Sequence, residues 1–451
     1  MTAESPRANS VAPKNDGTRS ANAKFVVPTE DPMHHASLDN AMSPPVSPPP
    51  GKGHAPLLCD QIGTFDLSSI DPADPAFTPL LYRQREETFT GRTTQIRHGS
   101  YLRRFTKDPS LDITPIINEI SNTTVNDVMH QNGYTGCVVV QNGAIRLEEY
   151  RHGNTPASRN DIQSITKSLM STVLAIAQSE GKLCVHDPVA RHVDELKGTA
   201  WADVPLLALI NMSAGVVEIS DEARPPDIPN PMYATDLYPS KDPNAVLDWL
   251  KTFNKAFDPW QEFHYYNPNY YVLSMAISRA TRTPLDEYIS RHIWEPAGMQ
   301  YDACMRTTAA GQIDGHGGLS ATLTDMARFG CFILDELRTE GQGPKVPAGW
   351  FQDISGAKAS IGPRAPGAND IIQTFGYENG WWTPPRGAEG CELGDNGAFV
   401  GLGMYGQALY VIPKLDVVIA IQSGFPEHSW DLFARNIEFA STIIKALQKA
   451  E

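Results

Sequence analysis

The sequence predicts an α+β domain, an antiparallel sheet flanked by helices and interrupted by an inserted helical lobe. Three observations lead there. Two strand-like runs in GCVVVQNGAIRLEEY meet at Asn142-Gly143, the strongest short hairpin signal. Helical periodicity dominates the middle of the chain. Strand patterns return after Trp381, in GQALYVIP and DVVIAIQSG, before a closing helix from about Trp430 to Lys449. The two ends therefore build one sheet. The expected division is a sheet lobe over residues 130–165 and 375–451, and a helical lobe over 166–374.

Taken in order, residues 1–56 are rich in Pro, Ser, Ala and Asn and end near SPPVSPPPGKG. Too few large apolar groups occur there to offset ordering entropy, so a disordered tail is expected ahead of a domain spanning 57–451. Residues 57–130 read as irregular, with LLYRQ and ITPIINEI as short ordered pieces. SITKSLMSTVLAIAQSEGKL reads as a helix of about five turns, ended by Gly181. VPLLALINMSAG is a shorter helix running into a loop. Residues 217–243, rich in Pro and Asp, read as a long loop. NYYVLSMAISRAT, LDEYISRHIW and LTDMARFGCFILDEL are helical by period. There is no internal repeat.

Composition narrows the function. A net charge of −15 on 451 residues, with no basic run, excludes nucleic acid and anionic membrane as expected partners. No stretch of about 20 apolar residues and no signal-peptide pattern occur, so a cytoplasmic protein is expected. The six cysteines are scattered without a CxxC pair. Reduced, buried thiols are expected rather than a metal or disulfide framework. No cofactor and no metal are implied.

The chemistry-bearing stretch is DIQSITKSLMS. Ser164 and Lys167 stand three residues apart, on one face of a helix start. A hydroxyl nucleophile needs a nearby base, and a lysine one turn on can supply it. The helix N-terminus also offers the serine's own N–H to an oxyanion. The spacing alone is cheap: about one or two matches arise by chance in a chain of this length, and Ser355 with Lys358 is a second one. A solvated helix start is the competing reading. Tyr265 and Asn267, in FHYYNPNYYVL, form Y-x-N a hundred residues on. A phenol beside a lysine can share its proton load, and an amide can orient substrate. The alternative is an aromatic-rich helix start packing on the core. Tyr377-Glu-Asn379 matches the same pattern.

S-x-x-K, then Y-x-N, then a Gly-rich C-terminal strand is an order that resembles the serine β-lactamase and penicillin-binding superfamily. NMSAGV, WEPAGMQYDA, GHGGLSATLTDMARFG and GQALYVIPKLDVVIAIQSG resemble its class C and esterase branch. SITKSL, FHYYNPN, the Trp381-Trp382 pair, GLGMYGQALYVIP and EHSW resemble the 6-aminohexanoate-dimer (nylon oligomer) hydrolases most.

The resemblance covers Gly136 to the end and implies a β-lactamase-like fold and a serine hydrolase. It implies Ser164 as nucleophile, Lys167 and Tyr265 as acid/base pair, and an oxyanion hole from the N–H groups of Ser164 and Met404, on the strand GMYGQ. Asn267, Trp381, Trp382, Tyr405 and His316 are the expected substrate contacts, His316 lying ahead of a helix at the cleft edge. No Lys-Thr-Gly occurs, and Tyr405 stands where a basic or polar residue would grip a penicillin-like carboxylate. Esters or simple amides are therefore the expected substrates. In the nylon oligomer hydrolases a loop tyrosine assists amide cleavage; the matching position is near Glu222, with Tyr233 and Tyr238 further along. Amidase and esterase both stay open. So do a penicillin-recognising peptidase or β-lactamase, an acyltransferase and a catalytically silent binding scaffold. A homodimer is open as well.

Overall fold

The computed structural model describes residues 83, 92–218, 242–339, 345–347, 349–351, 374–387, 392–425 and 430–450. These fall in one compact unit. The expected tail, the 219–241 part of the long loop with Glu222, Tyr233 and Tyr238, and the second S-x-x-K at Ser355 lie outside the described residues.

Residues 92–131, expected to be irregular, hold strands β1 (Arg92–Ile96) and β2 (Thr106–Lys107) and helices α1 (Thr114–Ser121) and α2 (Val125–Gln131). The last starts on a capping box, with Thr124 and Asp127 each satisfying the other's backbone N–H. β3 (Tyr134–Gln141) and β4 (Ala144–Tyr150) form the predicted hairpin. Asn142 and Gly143 carry φ of 50° and 74°, the left-handed pair that a two-residue turn needs. Next come β5 (Arg159–Asp161), α3 (Ile165–Ser179), α4 (Leu206–Ile210), β6 (Val216–Val217), α5 (Ala245–Lys251) and β7 (Asn254–Lys255). α6 (Pro268–Thr281) and α7 (Leu285–Ile289) follow, the latter running on into a π-helical turn over Ser290–Trp294. β8 (Ala303–Thr307), β9 (Leu319–Thr322) and α8 (Leu323–Arg338) precede the C-terminal part. That part contains β10 (Gly376–Glu378), β11 (Trp381–Thr383), α9 (Glu392–Asp395), β12 (Phe399–Gly403), β13 (Gln407–Ile412), β14 (Val417–Ser423) and α10 (Trp430–Ala450).

The main sheet has eight strands in the order β10-β11-β12-β13-β14-β3-β4-β2. Every pairing is antiparallel except that of the two-residue β2 with β4. As predicted, the first hairpin and the last strands meet in one sheet, where β14 pairs β3. β3 is buried along its whole length, so its near-continuous apolar run reflects cover on both faces.

The supposed helical lobe is not purely helical. β8 and β9 lie within it and join β1 and β5 in a second antiparallel sheet, β1-β8-β9-β5. Its strands are three to five residues long, and so short a run leaves little periodicity to read. This small sheet positions the site. β5 runs directly into DIQSITK, and it pairs with β9, which leaves the GHGG turn. α3 is buried on every side, from Ile165 through Ala177, as expected of a helix threaded between sheets.

Four cysteines, Cys137, Cys184, Cys304 and Cys331, are free thiols. Cys184 is exposed, contrary to the expectation that all are buried. Among the described residues no helix is long and apolar enough to cross a membrane.

Candidate active site

The chain reaches α3 through a tight corner. Gln163 has φ of 52°, and its N–H donates to Asp161 Oδ1 at 2.9 Å. Ser164 is the N-cap residue, yet its side chain caps nothing and is left for other partners. Lys167, only 1% exposed, has Nζ 2.8 Å from Ser164 Oγ and donates to the His316 carbonyl at 2.7 Å. The pair read from spacing is thus in direct contact.

Tyr265 completes a triangle. It hydrogen-bonds Ser164, and Lys167 Nζ stands 5.0 Å from the centre of its ring. Its loop is sewn to the NMSAGV segment: His264 N–H donates to Met212 O at 2.7 Å, and Trp260 N–H to Ser213 O at 2.9 Å. Burial pushes the Tyr265 phenol well above its ordinary pKa, and the Ser164 hydrogen bond only partly opposes this. Asn267 is the N-cap of α6, and its Oδ1 is buried and accepts no hydrogen bond.

The two tryptophans part company because successive strand residues face opposite ways. Trp382 stacks on Tyr265, with centroids 5.6 Å apart and planes at 21°. Trp381, expected at the substrate, is fully buried in the core between Phe329 and Phe399. Met404 and Tyr405 lie on the three-residue turn joining β12 to β13, not on a strand as expected. Tyr405 takes the left-handed φ of 62° there. Strand β12 itself runs along the start of α3. A Cβ on Gly401 would stand 3.1 Å from Ser168 Oγ, and one on Gly403 only 2.4 Å from the Ile162 carbonyl. Glycine lets this strand's backbone approach the corner that leads into α3 and the first turn of that helix.

His316 was expected at the cleft edge ahead of a helix. A strand, β9, intervenes, and the His316 ring is buried, only 5% of the residue exposed, with its Nδ1 on Asp314 and its face toward Tyr271 at 5.0 Å. Its carbonyl, rather than its ring, meets Lys167.

Sequence reasoning passed over Tyr377, set aside as a chance Y-x-N match. Its ring stands edge-on to Tyr265 at 5.8 Å and to Trp382 at 5.2 Å. Its partner Asn379 is structural, with its N–H on Asn211 Oδ1 and its Nδ2 on Trp350 O. Trp430, visible only as part of EHSW, stands edge-on to Trp382 at 6.4 Å.

A buried amine against a hydroxyl at a helix start, with a phenol on the same oxygen, is a nucleophile–base arrangement of the serine hydrolase class. The family comparison agrees with that class. A Beta-lactamase family profile matches residues 122–427, more than half of the chain, and the chain belongs to that family. It is similar to the 6-aminohexanoate-dimer hydrolase of Paenarthrobacter ureafaciens, 25% identical over 328 residues, 71% of this chain and 81% of that one. A β-lactamase of Pseudomonas fluorescens is 21% identical over 41% of this chain and 50% of its own. Among solved structures, one from Bacillus anthracis, provisionally assigned as a 6-aminohexanoate-dimer hydrolase, superposes with a TM-score of 0.71 at 24% identity. It covers 86% of this chain and 99% of its own. EstCE1, a hydrolase with promiscuous acyltransferase activity, superposes at 0.52 with 13% identity over 74% and 99%. These likenesses place the fold as β-lactamase-like and the chain among the hydrolases of the family.

Proposed function

We propose that this protein hydrolyses small carboxylic esters and linear amides of the 6-aminohexanoate-oligomer type through an acyl-enzyme on Ser164. The contact of Lys167 Nζ with Ser164 Oγ at 2.8 Å carries the reading. As Oγ bonds to the substrate carbonyl carbon, its proton passes to the Lys167 amine. Burial disfavours the Tyr265 phenolate, which supports reading the Lys167 amine as the acceptor. The Ser164 N–H and a backbone N–H from the β12–β13 segment, Met404 in the family's pattern, hold the oxyanion; each such donor is worth about 2.7–4 kcal/mol.

The intermediate then collapses. The carbonyl re-forms, the bond to the leaving nitrogen or oxygen breaks, and that atom takes the proton from Lys167 by way of Tyr265. Water adds to the acyl-enzyme, giving its proton to the amine, and Oγ leaves with a proton restored. Asn267 Oδ1, buried and without a hydrogen bond, is suited to a substrate N–H. Trp382 and Tyr405 flank the acyl group, and Glu222 is assigned by the family pattern alone to the leaving-group side.

The relatives' names supply the amide class, while the absence of Lys-Thr-Gly argues against penicillin-like carboxylates. A cytoplasmic location belongs to the same proposal and is supported by the four free thiols. The test is hydrolysis by wild type and Ser164→Ala of a short-chain p-nitrophenyl ester, the linear 6-aminohexanoate dimer and a chromogenic cephalosporin. Turnover of the first two that vanishes with the hydroxyl is expected. Turnover that survives in Ser164→Ala would refute the assignment.

A further inference from the structure

The carbonyl that receives Lys167 does not stand on its own. It belongs to a turn, Asp314 to Gly318, tied together by buried charge. Asp314 is 2% exposed and Arg306, on β8, 6%. Asp314 pairs with the His316 ring and accepts the His316 backbone N–H at 3.2 Å. Arg306 Nη2 stands 3.1 Å from Asp314 Oδ2 and donates to the Gly317 carbonyl at 2.8 Å. Main-chain bonds from Asp314 N to Arg306 O (2.9 Å) and from Gly318 N to Asp314 O (3.2 Å) close the turn.

Its two ends are then docked. At Gly315 an added Cβ would stand 2.1 Å from Ser274 Oγ on α6, so the turn lies flush on that helix. Leu319 N–H donates to Thr166 Oγ1 at 3.2 Å, on the helix that carries Lys167. Burial raises the Asp314 carboxyl, but the His316 and Arg306 charges outweigh it and hold the group below the carboxylate range. The acid is therefore an anion at every working pH.

So large an investment of buried charge, Asp314 and His316 in the turn and Arg306 beside it on β8, is unusual for a plain turn, because a buried ion demands full compensation. The His316 carbonyl brings this turn to the proposed chemistry, because it accepts from Lys167 Nζ. We propose that Asp314 and Arg306 are positioning residues: they fix the His316 carbonyl so that Lys167 Nζ is held on Ser164 Oγ. The inference rests on the Ser164–Lys167 reading above. It gives the GHGG turn a role in directing the base, with no contact between the His316 ring and substrate.

Nζ meets Ser164 Oγ on its own helix and the His316 carbonyl, with the Tyr265 and Tyr270 ring centres 5.0 and 5.7 Å away. In Asp314→Asn the turn loses the anion that pairs with Arg306 and the His316 ring, and the His316 carbonyl is no longer fixed. Misplacement of the amine lowers kcat by about 10–100-fold while KM changes little.

The experiment measures kcat and KM on a p-nitrophenyl ester for wild type, Asp314→Asn and Arg306→Lys. Rates are expressed per active site counted by end-point fluorophosphonate labelling, so misfolded protein drops out. Arg306→Lys keeps the charge but withdraws the Nη2 group that meets both Asp314 and the Gly317 carbonyl, and it carries the test if Asp314→Asn does not fold. A lowered kcat per site with little change in KM is expected in both. Fewer labelled sites with unchanged kcat per site would mean a merely structural turn and would overturn the proposal. Ser164→Ala and Lys167→Met run alongside. Activity surviving in those two defeats the parent reading, whereas their inactivity beside wild-type behaviour in the turn variants defeats only this inference.

Discussion

Tyr265 lies nearly parallel to Trp382, ring centres 5.6 Å apart, with Tyr377 edge-on to both. The phenol is thus aimed at Ser164 by aromatic packing on one side and by the Met212–His264 backbone bond on the other. An offset or edge-on aromatic pair contributes about 0.5–1.5 kcal/mol beyond its buried area. Trp382→Ala should let the Tyr265 ring wander and lower kcat on a short p-nitrophenyl ester about 2–10-fold. Trp382→Phe should recover most of the loss. Identical kcat in all three proteins would show that the stack does not hold the phenol in place.

Gly403 is the second point at which one atom decides the geometry. An alanine there would bring Cβ within 2.4 Å of the Ile162 carbonyl and 2.9 Å of Gln407 Cβ. Because the first obstacle is backbone, the strand must move rather than a side chain. Overpacking of this kind costs about 1–3 kcal/mol. Displacing β12 from the start of α3 should lower kcat/KM about 100-fold. Calorimetry and steady-state kinetics on Gly403→Ala check both numbers; full activity would place the reacting carbonyl away from this strand.

The buried phenols set the response to alkali. Burial raises the pKa of Tyr134, Tyr265, Tyr270 and Tyr377 above the ordinary value near 10. In the unfolded chain these groups ionise from about pH 10. The folded-state pKa is the higher one, so their contribution is complete below that pH and is lost as pH rises toward the folded values. Each adds a slope of up to about 1.4 kcal/mol per pH unit. The urea midpoint should hold steady from about pH 7 to 9 and fall steeply above 10. Tyr377→Phe should make the fall shallower by close to one proton, and an unaltered slope would show that this phenol ionises freely in the folded protein.

Much of this was legible from local chemistry. Asn142-Gly143 specifies its hairpin because both residues accept positive φ, whatever surrounds them. The helices α3, α6 and α8 and the closing helix follow the same logic, since an apolar helical run must be buried wherever it lands. Ser164 and Lys167 are neighbours by helical geometry alone, and their partner motif and strand order identify the hydrolase family.

What the tertiary structure alone decided lies in relationships of long sequence separation. The second sheet is built from runs of three to five residues whose pairing, β5 with β9, spans more than 150 positions. Local pattern carries no signal for such a register. That pairing places the His316 carbonyl, rather than its ring, on Lys167. Strand alternation sent Trp381 into the core and left Trp382 on Tyr265, a choice fixed by which face of β11 the sheet covers. Tyr377 met Tyr265 only because β10 returns to the edge of the main sheet. Residue types and short spacings determined the chemistry available to this chain; packing of distant segments determined which atoms perform it.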